Sequence, residues 1–257
     1  MVAEGARRRT VRSVAVVGVL LFGVAGCGGV DAAGAPEERK VFAFRGDALT
    51  VDSGDGDVVL VPADVSGVEV TRQVDGWVML GSGPDAAWRM DGGTLTLRVT
   101  CDAVVQNCDA RYEVKVPRGV AVTVRGDSGT VSSDGFAAPL TVRTDNGDVT
   151  VRGARGPLDL GTDNGVLRVD GATSRTVSAR SDNGDIRLAL GGAPTRVAAH
   201  SSNGGVVVEL PAAAAPYAVT AGTDNGKVTT DAPHDAKSSR AVTAYSENGD
   251  VTVRTAN

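Results

Sequence analysis

The chain has 257 residues, with 34 glycines and only 4% aromatics, so a core must be filled by Val, Leu and Ala between closely approaching backbones. That composition favours thin, repetitive β architecture over a bulky α/β core. The formal charge is −5. Arg7, Arg8, Arg9 and Arg12 against Glu4 contribute +3 of it, leaving −8 on the rest of the chain, which argues against a phosphate-tracking surface and against nucleic acid as a partner.

The basic residues 7 to 12 precede a short apolar run, Val14 to Ala25. A spanning helix needs about 20 apolar residues, so this run has the length of a signal-peptide core. It ends in Val24-Ala25-Gly26-Cys27, which resembles the bacterial lipobox, where the cysteine is diacylated and becomes the first mature residue. Residues 1–26 are therefore expected to be removed and Cys27 to carry the lipid. Two acyl chains hold a protein firmly where one does not. Residues 27–40 lack hydrophobic periodicity and read as a lipidated, flexible tether of about 20 Å r.m.s. reach. The expected location is the extracytoplasmic face of the cell membrane.

Residues 41–257 read as one all-β domain, irregular over 41–120 and regular over 121–257. In the irregular part, Val51-Asp-Ser-Gly-Asp-Gly-Asp-Val-Val-Leu-Val61 predicts two strands with Gly56 at the turn between them. Val68 to Val70, Trp77 to Leu80, Leu95 to Val99 and Tyr112 to Val116 alternate as strands. Trp77 and Trp88 are expected to cover the open N-terminal end of the core. With Cys27 lipidated, Cys101 and Cys108 are the remaining thiols, and outside the cell they are expected to pair. Their spacing is not that of a redox CxxC pair. As a structural disulfide closing a short loop they would contribute about 2.5 kcal/mol in the chain-entropy model.

From residue 124 one motif recurs, with glycines at 129, 147, 165, 184, 204, 226 and 249, spaced by 18 to 23 residues. A period near 20 marks a repeat architecture. Six copies carry the turn pair Asn146-Gly147, Asn164-Gly165, Asn183-Gly184, Asn203-Gly204, Asn225-Gly226 and Asn248-Gly249. Two positions after each glycine come Val149, Leu167, Ile186, Val206, Val228 and Val251, and four after it Val151, Val169, Leu188, Val208, Thr230 and Val253. Seven before it come Leu140, Leu158, Val177, Val197, Val219 and Val242. Period-two alternation gives two short strands per repeat with these residues on the buried face. Asn-Gly joins them because both residues tolerate positive φ.

Two architectures fit. Asn-Gly between alternating strands is a hairpin signal, so an antiparallel meander or barrel is one. The other, favoured here, is a single-chain β-solenoid of roughly 20-residue two-strand coils, because stacked coils give a reason to repeat the Thr or Ser before each Asn-Gly as a ladder. The longer segments Gly153 to Pro157, Pro211 to Pro216 and Asp231 to Arg240 all fall on the turn opposite Asn-Gly, as a solenoid predicts. The last strand, Asp250 to Arg254, stops three residues before the end, so Val251 and Val253 are expected at an open edge available for self-association or strand addition.

The lipobox, Gly54-Asp-Gly-Asp-Val58, the Cys pair before Tyr112-Glu-Val-Lys-Val-Pro-Arg-Gly-Val120, and the Thr/Ser-x-Asn-Gly-x-Val series together resemble the DUF4097 family, whose members carry an adhesin label. The resemblance spans roughly residues 41–257. It implies a β-strand repeat fold at the bacterial surface and transfers no catalytic residues, the adhesin label being fold analogy.

Candidate chemistry is sparse. His200 occupies a variable position held elsewhere by Arg143, Gly161, Arg180, Gly222 or Tyr245, and His234 lies in the longest loop; nothing marks a serine beside either. Asp127, Asp145, Asp163, Asp182, Asp224 and Glu247 form one column, interrupted by Ser202, read as solvated carboxylates rather than a metal site. No cofactor is expected. The leading reading is a surface-displayed structural or interaction module without catalysis, its partner an envelope protein or polysaccharide. The alternative is a cell-wall polysaccharide-acting enzyme on a β-helix scaffold.

Overall fold

The computed structural model describes residues 31–212 and 216–256. Apart from one 3-10 turn at Ala32–Gly34, its elements are strands. They run β1 (Glu38–Ala43), β2 (Ala48–Asp55), β3 (Asp57–Ala63), β4 (Gly67–Asp91) and β5 (Thr94–Pro117) in the irregular part. The regular part continues in pairs: β6 (Ala121–Ser128) with β7 (Val131–Asp134), β8 (Leu140–Asn146) with β9 (Val149–Arg152), β10 (Leu158–Asn164) with β11 (Leu167–Ala172), and β12 (Thr176–Asn183) with β13 (Ile186–Leu190). Three pairs follow, β14 (Arg196–Asn203) with β15 (Val206–Leu210), β16 (Ala218–Asn225) with β17 (Val228–Thr230), and β18 (Ala241–Asn248) with β19 (Val251–Thr255).

Each pair is one coil, and the coils stack in parallel register. Leu140 pairs with Leu158, Leu158 with Val177, and Val177 with Val197 on the first sheet, while Val149, Leu167, Ile186 and Val206 line up on the second. This is a β-solenoid and not a meander; among the described residues, antiparallel pairing is confined to β1, β4 and β5. The inward side chains of both sheets, among them Val142, Leu160, Val151 and Val169, are buried in one continuous core. Burying each such side chain is worth roughly 1.5–3 kcal/mol. The sum over many coils, rather than any large aromatic cluster, holds the thin fold together.

The reason for Asn-Gly differs from the expected one. Leu80 is the one non-glycine with positive φ among the described residues, so the repeat asparagines do not adopt a left-handed turn. The pair forms the corner where the chain crosses from the first sheet to the second. Glycine is needed there because a Cβ at Gly147, Gly165, Gly184, Gly204, Gly226 or Gly249 would overlap the carbonyl of the glycine on the neighbouring coil. Close approach of stacked backbones, together with the expected positive φ at Gly147, Gly165, Gly184, Gly204 and Gly249, selects the residue.

A long antiparallel ribbon closes the N-terminal end. The start of β5 pairs with β2 on the first sheet (Thr94 to Leu97) and its end with β3 on the second (Arg111 to Pro117), so the ribbon of β4 and β5 straddles the corner. Trp88 covers this end as expected: its ring meets Phe42 edge-on at 6.5 Å, with the Arg72 guanidinium 4.2 Å from its centroid. Trp77 does not, because it lies where the ribbon loops away from the core and stays exposed. The expected tether is also shorter than 27–40. β1 begins at Glu38, and Gln73 Nε2 donates to the carbonyls of Ala33 and Ala35, holding the preceding turn on the ribbon.

The C-terminal end overturns the expected open edge at Val251 and Val253. β18 pairs with both β14 and β16, and β19 with both β15 and β17, so the last coil inserts between its two predecessors. Val251 and Val253 are buried. The outermost coil is β16 with β17, where Thr230 stands in place of the usual inward Val and Val228 is exposed. The most polar coil takes the end because it loses least by leaving one side unpaired. The long loop 231–240 provides the chain needed for the exchange, and Tyr217 and Ala232 are buried near it.

Candidate functional site

The corner glycines open the tightest feature of the molecule, a spine of asparagines. Asn164 Nδ2 donates to Asn146 Oδ1 at 3.0 Å, and Asn183 to Asn164, Asn203 to Asn183 and Asn248 to Asn203 each at 3.1 Å. Asn225 donates to Asn248 at 3.0 Å, so the ladder follows the exchanged coil order. Beside it, the hydroxyls of Thr162, Ser181, Ser201, Ser246 and Thr223 each donate to the carbonyl of a corner glycine on the adjacent coil, at 2.8 to 3.1 Å. That bond explains why Thr or Ser recurs at this position. The predicted repeat-turn residues therefore come together, and their work is structural.

A third ladder escaped the sequence reading. The residue after the corner glycine alternates along the stack: Asp57, Thr130, Asp148, Val166, Asp185, Gly205, Asp250, Lys227. Each aspartate accepts the backbone N–H of its non-acidic neighbour, Asp57 from Thr130, Asp148 from Val166, Asp185 from Gly205 and Asp250 from Lys227, at 2.8 to 2.9 Å. The signal was visible in the Gly-Asp pairs at 147–148, 184–185 and 249–250. Its meaning depends on which coils touch.

Outward faces of both sheets carry further polar groups, Arg168, Arg187, Glu209 and Arg254 on the second, and the first sheet's face is the one with a notch beside its acid column. Gly161, lacking a side chain, leaves a shallow notch of about 300 Å³ between Arg143 and Arg180, edged by Asp145, Asp163 and Asp182. Arg143 pairs with Asp159 at 2.6 Å across it. Arg98 is shared between Asp52 and Asp127, both at 2.8 Å. Farther along, His200 stacks on Tyr245 at 5.6 Å with near-parallel planes, and His200 Nε2 lies 3.8 Å from Glu247. The Tyr245 hydroxyl donates to Asp224, and that hydrogen bond, more than burial, raises its pKa. This aromatic pair exists only because the last coil is inserted, so the sequence order hid it. His234 is separate: its Nδ1 accepts from the backbone N–H of Val219.

The acid column likewise follows the exchanged order, with Ser202 next to Glu247 and Asp224 at the end; the Ser202 hydroxyl donates to Glu247 at 3.4 Å. No group of three or more His, Cys, Asp or Glu with metal-holding geometry occurs among the described residues. Cys101 and Cys108 face each other with Cα atoms 6.7 Å apart and sulfurs in bonding contact. They line a polar cleft of about 490 Å³ between the ribbon and the corners at Gly56 and Gly129. Cys27 lies outside the described residues.

The family model Toastrack DUF4097 matches residues 46–257. The chain belongs to this family. A proposed adhesin from Bacteroides fragilis shares the Toastrack fold with a TM-score of 0.54 at 14% identity, covering 86% of this chain and 97% of that one. Another from Parabacteroides distasonis has a TM-score of 0.47 at 14% identity, covering 87% and 98%. A comparison with curated proteins finds no match. At 14% identity the Bacteroides fragilis structure speaks for the fold alone.

Proposed function

We propose that this Toastrack protein is a lipid-anchored interaction module displayed on the extracytoplasmic face of a bacterial membrane, working by binding rather than by catalysis. The observation that carries the reading is the division of labour in the repeat. Asparagine, hydroxyl and glycine at each corner are committed to holding coils together, whereas the first sheet's outward row carries short polar and charged side chains around a shallow notch. Such a face suits recognition of an envelope protein or polysaccharide. Cys27 in its lipobox supplies the anchor, and a Cys101–Cys108 disulfide suits an oxidising compartment.

The test has two parts. Mass spectrometry of the membrane-extracted protein is expected to give a diacylated Cys27 N-terminus, and Cys27→Ala is expected to leave the membrane fraction; an intact leader would refute the anchor. Binding of the full protein to purified envelope polysaccharide is then compared with an Arg143→Ala, Arg180→Ala variant. Loss of binding supports the notch as the recognition surface. Release of new reducing ends by the wild-type protein would instead establish the polysaccharide-cleaving alternative, which the carboxylates around the same notch favour.

A further inference from the structure

Among the described residues, the exposed large apolar side chains are concentrated in one place. Of the large hydrophobic residues exposed among the described residues, Trp77 (46%), Met79 (55%), Leu80 (80%), Val104 (79%) and Val105 (45%) all lie where the β4–β5 ribbon loops away from the solenoid corner; Val41 and Val228 are the others. Met79 pairs with Val105, and Leu80 and Val104 sit between that pair and Gly81–Ala103, so these four form the apex of a double-stranded ear. Cys101 and Cys108 pinch its base. Residues 76–84 and 101–108 contain a single charged side chain, Asp102. Leu80 holds a left-handed backbone, φ +56, which a bulky side chain adopts only where the surrounding structure imposes it.

An apolar apex of this kind asks for an occupant. The chain itself indicates which. Asp31 N–H donates to Asp75 and Ala32 N–H to Asp109 at 3.1 and 3.0 Å, and Asp75 and Asp109 are register partners one step before Gly76 and Cys108, where the ear begins. Cys27 is four residues before Asp31. Four residues span at most about 14 Å. The ear rises four residues from Gly76 to Leu80, at most about 13 Å at strand spacing. A lipid on Cys27 and the apex at Leu80 can therefore reach one plane.

We propose that the ear is a second membrane contact, its apex seated in the lipid interface beside the acylated Cys27 so that anchor and ear together fix how the solenoid stands on the bilayer. This rests on the lipid-anchor reading above. Trp77 would take the interfacial level that its amphipathic ring favours, with Met79, Leu80, Val104 and Val105 below it. Asp102 limits the depth to the headgroup boundary. Two attachment points convert a swivelling tether into an oriented mount, presenting the same solenoid face outward.

The test uses the full lipidated protein with Trp88→Phe, leaving Trp77 as the sole tryptophan, reconstituted in phosphatidylethanolamine–phosphatidylglycerol vesicles with brominated acyl chains. Trp77 emission is expected to shift to the blue and to fall by about twofold or more relative to unbrominated vesicles, as for an interfacial tryptophan. Adding Leu80→Asp and Val104→Asp should abolish the quenching while flotation with vesicles and the thermal midpoint are retained, since the apex lies outside the core. A protein that floats with Trp77 unquenched by lipid overturns the proposal and leaves the anchor standing; if soluble acrylamide also fails to reach that Trp77, a protein contact occupies the ear instead. A protein that fails to float overturns anchor and ear together.

Discussion

Two adjacent glycines should respond very differently to the same substitution. A Cβ at Gly204 would overlap the carbonyl of Gly184, whereas one at Gly205 would meet Asp250 O at 3.5 Å and Asp185 Oδ1 at 3.7 Å, ordinary contacts. The added Cβ at Gly204 meets backbone, which can give only by spreading the coils, at the roughly 1–3 kcal/mol typical of overpacking, and φ +157 there strains any side chain besides. Spreading also stretches the bonds from Ser201 to Gly184 and from Ser246 to Gly204, now 2.9 and 2.8 Å, worth about 1 kcal/mol apiece. Reduced freedom of the unfolded chain returns about 0.4–1 kcal/mol. Gly204→Ala is thus expected to cost about 2–4.5 kcal/mol, lowering the thermal midpoint by roughly 5–15 °C for a domain of this size. Gly205→Ala keeps its N–H bond to Asp185 at 2.9 Å and should fall within about 0.5 kcal/mol of wild type. Differential scanning calorimetry of the two proteins decides. Equal midpoints, or a larger loss for Gly205→Ala, would refute close coil approach as the reason for the repeat glycine.

Asn183→Ala removes the bond to Asn164 and the one Asn203 donates to Asn183, both 3.1 Å, leaving Asn203 Nδ2 its bond to the Asp182 carbonyl, and is expected to cost about 1–2 kcal/mol in urea unfolding, with Asn183→Asp no better because it cannot donate. Tyr112 is buried with its hydroxyl unpartnered among the described residues, and burial pushes its pKa up to about 12 against the opposing charge of Arg72. The folded protein therefore holds this proton where the unfolded chain releases it, so the contribution is intact below pH 10 and is lost as pH rises toward 12; Tyr112→Phe should be neutral or stabilising at pH 7 and less sensitive to alkali in pH-dependent denaturation. In hydrogen exchange of dilute monomer, amides of Val251 to Arg254 should be strongly protected, while those of Val228 to Thr230 exchange faster; the reverse order would contradict the inserted last coil.

The repeat was legible because three side-chain types and a glycine recur against a two-residue alternation, and only parallel stacking gives the Thr or Ser a purpose. Lengthened turns at Gly153 to Pro157 and Asp231 to Arg240 also fell where a solenoid puts them. What failed depended on contacts that sequence order misstates. His200 meets Tyr245 and Ser202 meets Glu247 across 45 residues because one coil was skipped. The hint was present in Thr230, which is polar at an inward position that Val or Leu fills in the five other Asn-Gly coils and marks the coil that can sit at an end. The ear was misread for a different reason: Trp77 to Leu80 alternates like a buried strand, yet its partner is another strand of the same ribbon and nothing covers the pair. Alternation reports pleating, and burial has to come from somewhere else.

The two acidic columns differ in a way that separates scaffold from surface. Coils stand about 4.8 Å apart, where neighbouring like charges repel by roughly 1 kcal/mol even at the dielectric of water. The column after the corner glycine avoids this entirely: Asp57, Asp148, Asp185 and Asp250 are each followed by a non-acidic residue whose N–H they bind. The column before the asparagine does not. Asp145, Asp163 and Asp182 sit on consecutive coils, exposed, with no side-chain hydrogen bond or ion pair among the described residues, while Asp127 is matched by Arg98, Glu247 by Ser202 and Asp224 by Tyr245. A fold selected for stability alone would alternate both columns. Asp145, Asp163 and Asp182, at the edge of the notch between Arg143 and Arg180, take part in no bond that holds coils together through their side chains, and a partner that supplies compensating charge would find them already arrayed at coil spacing.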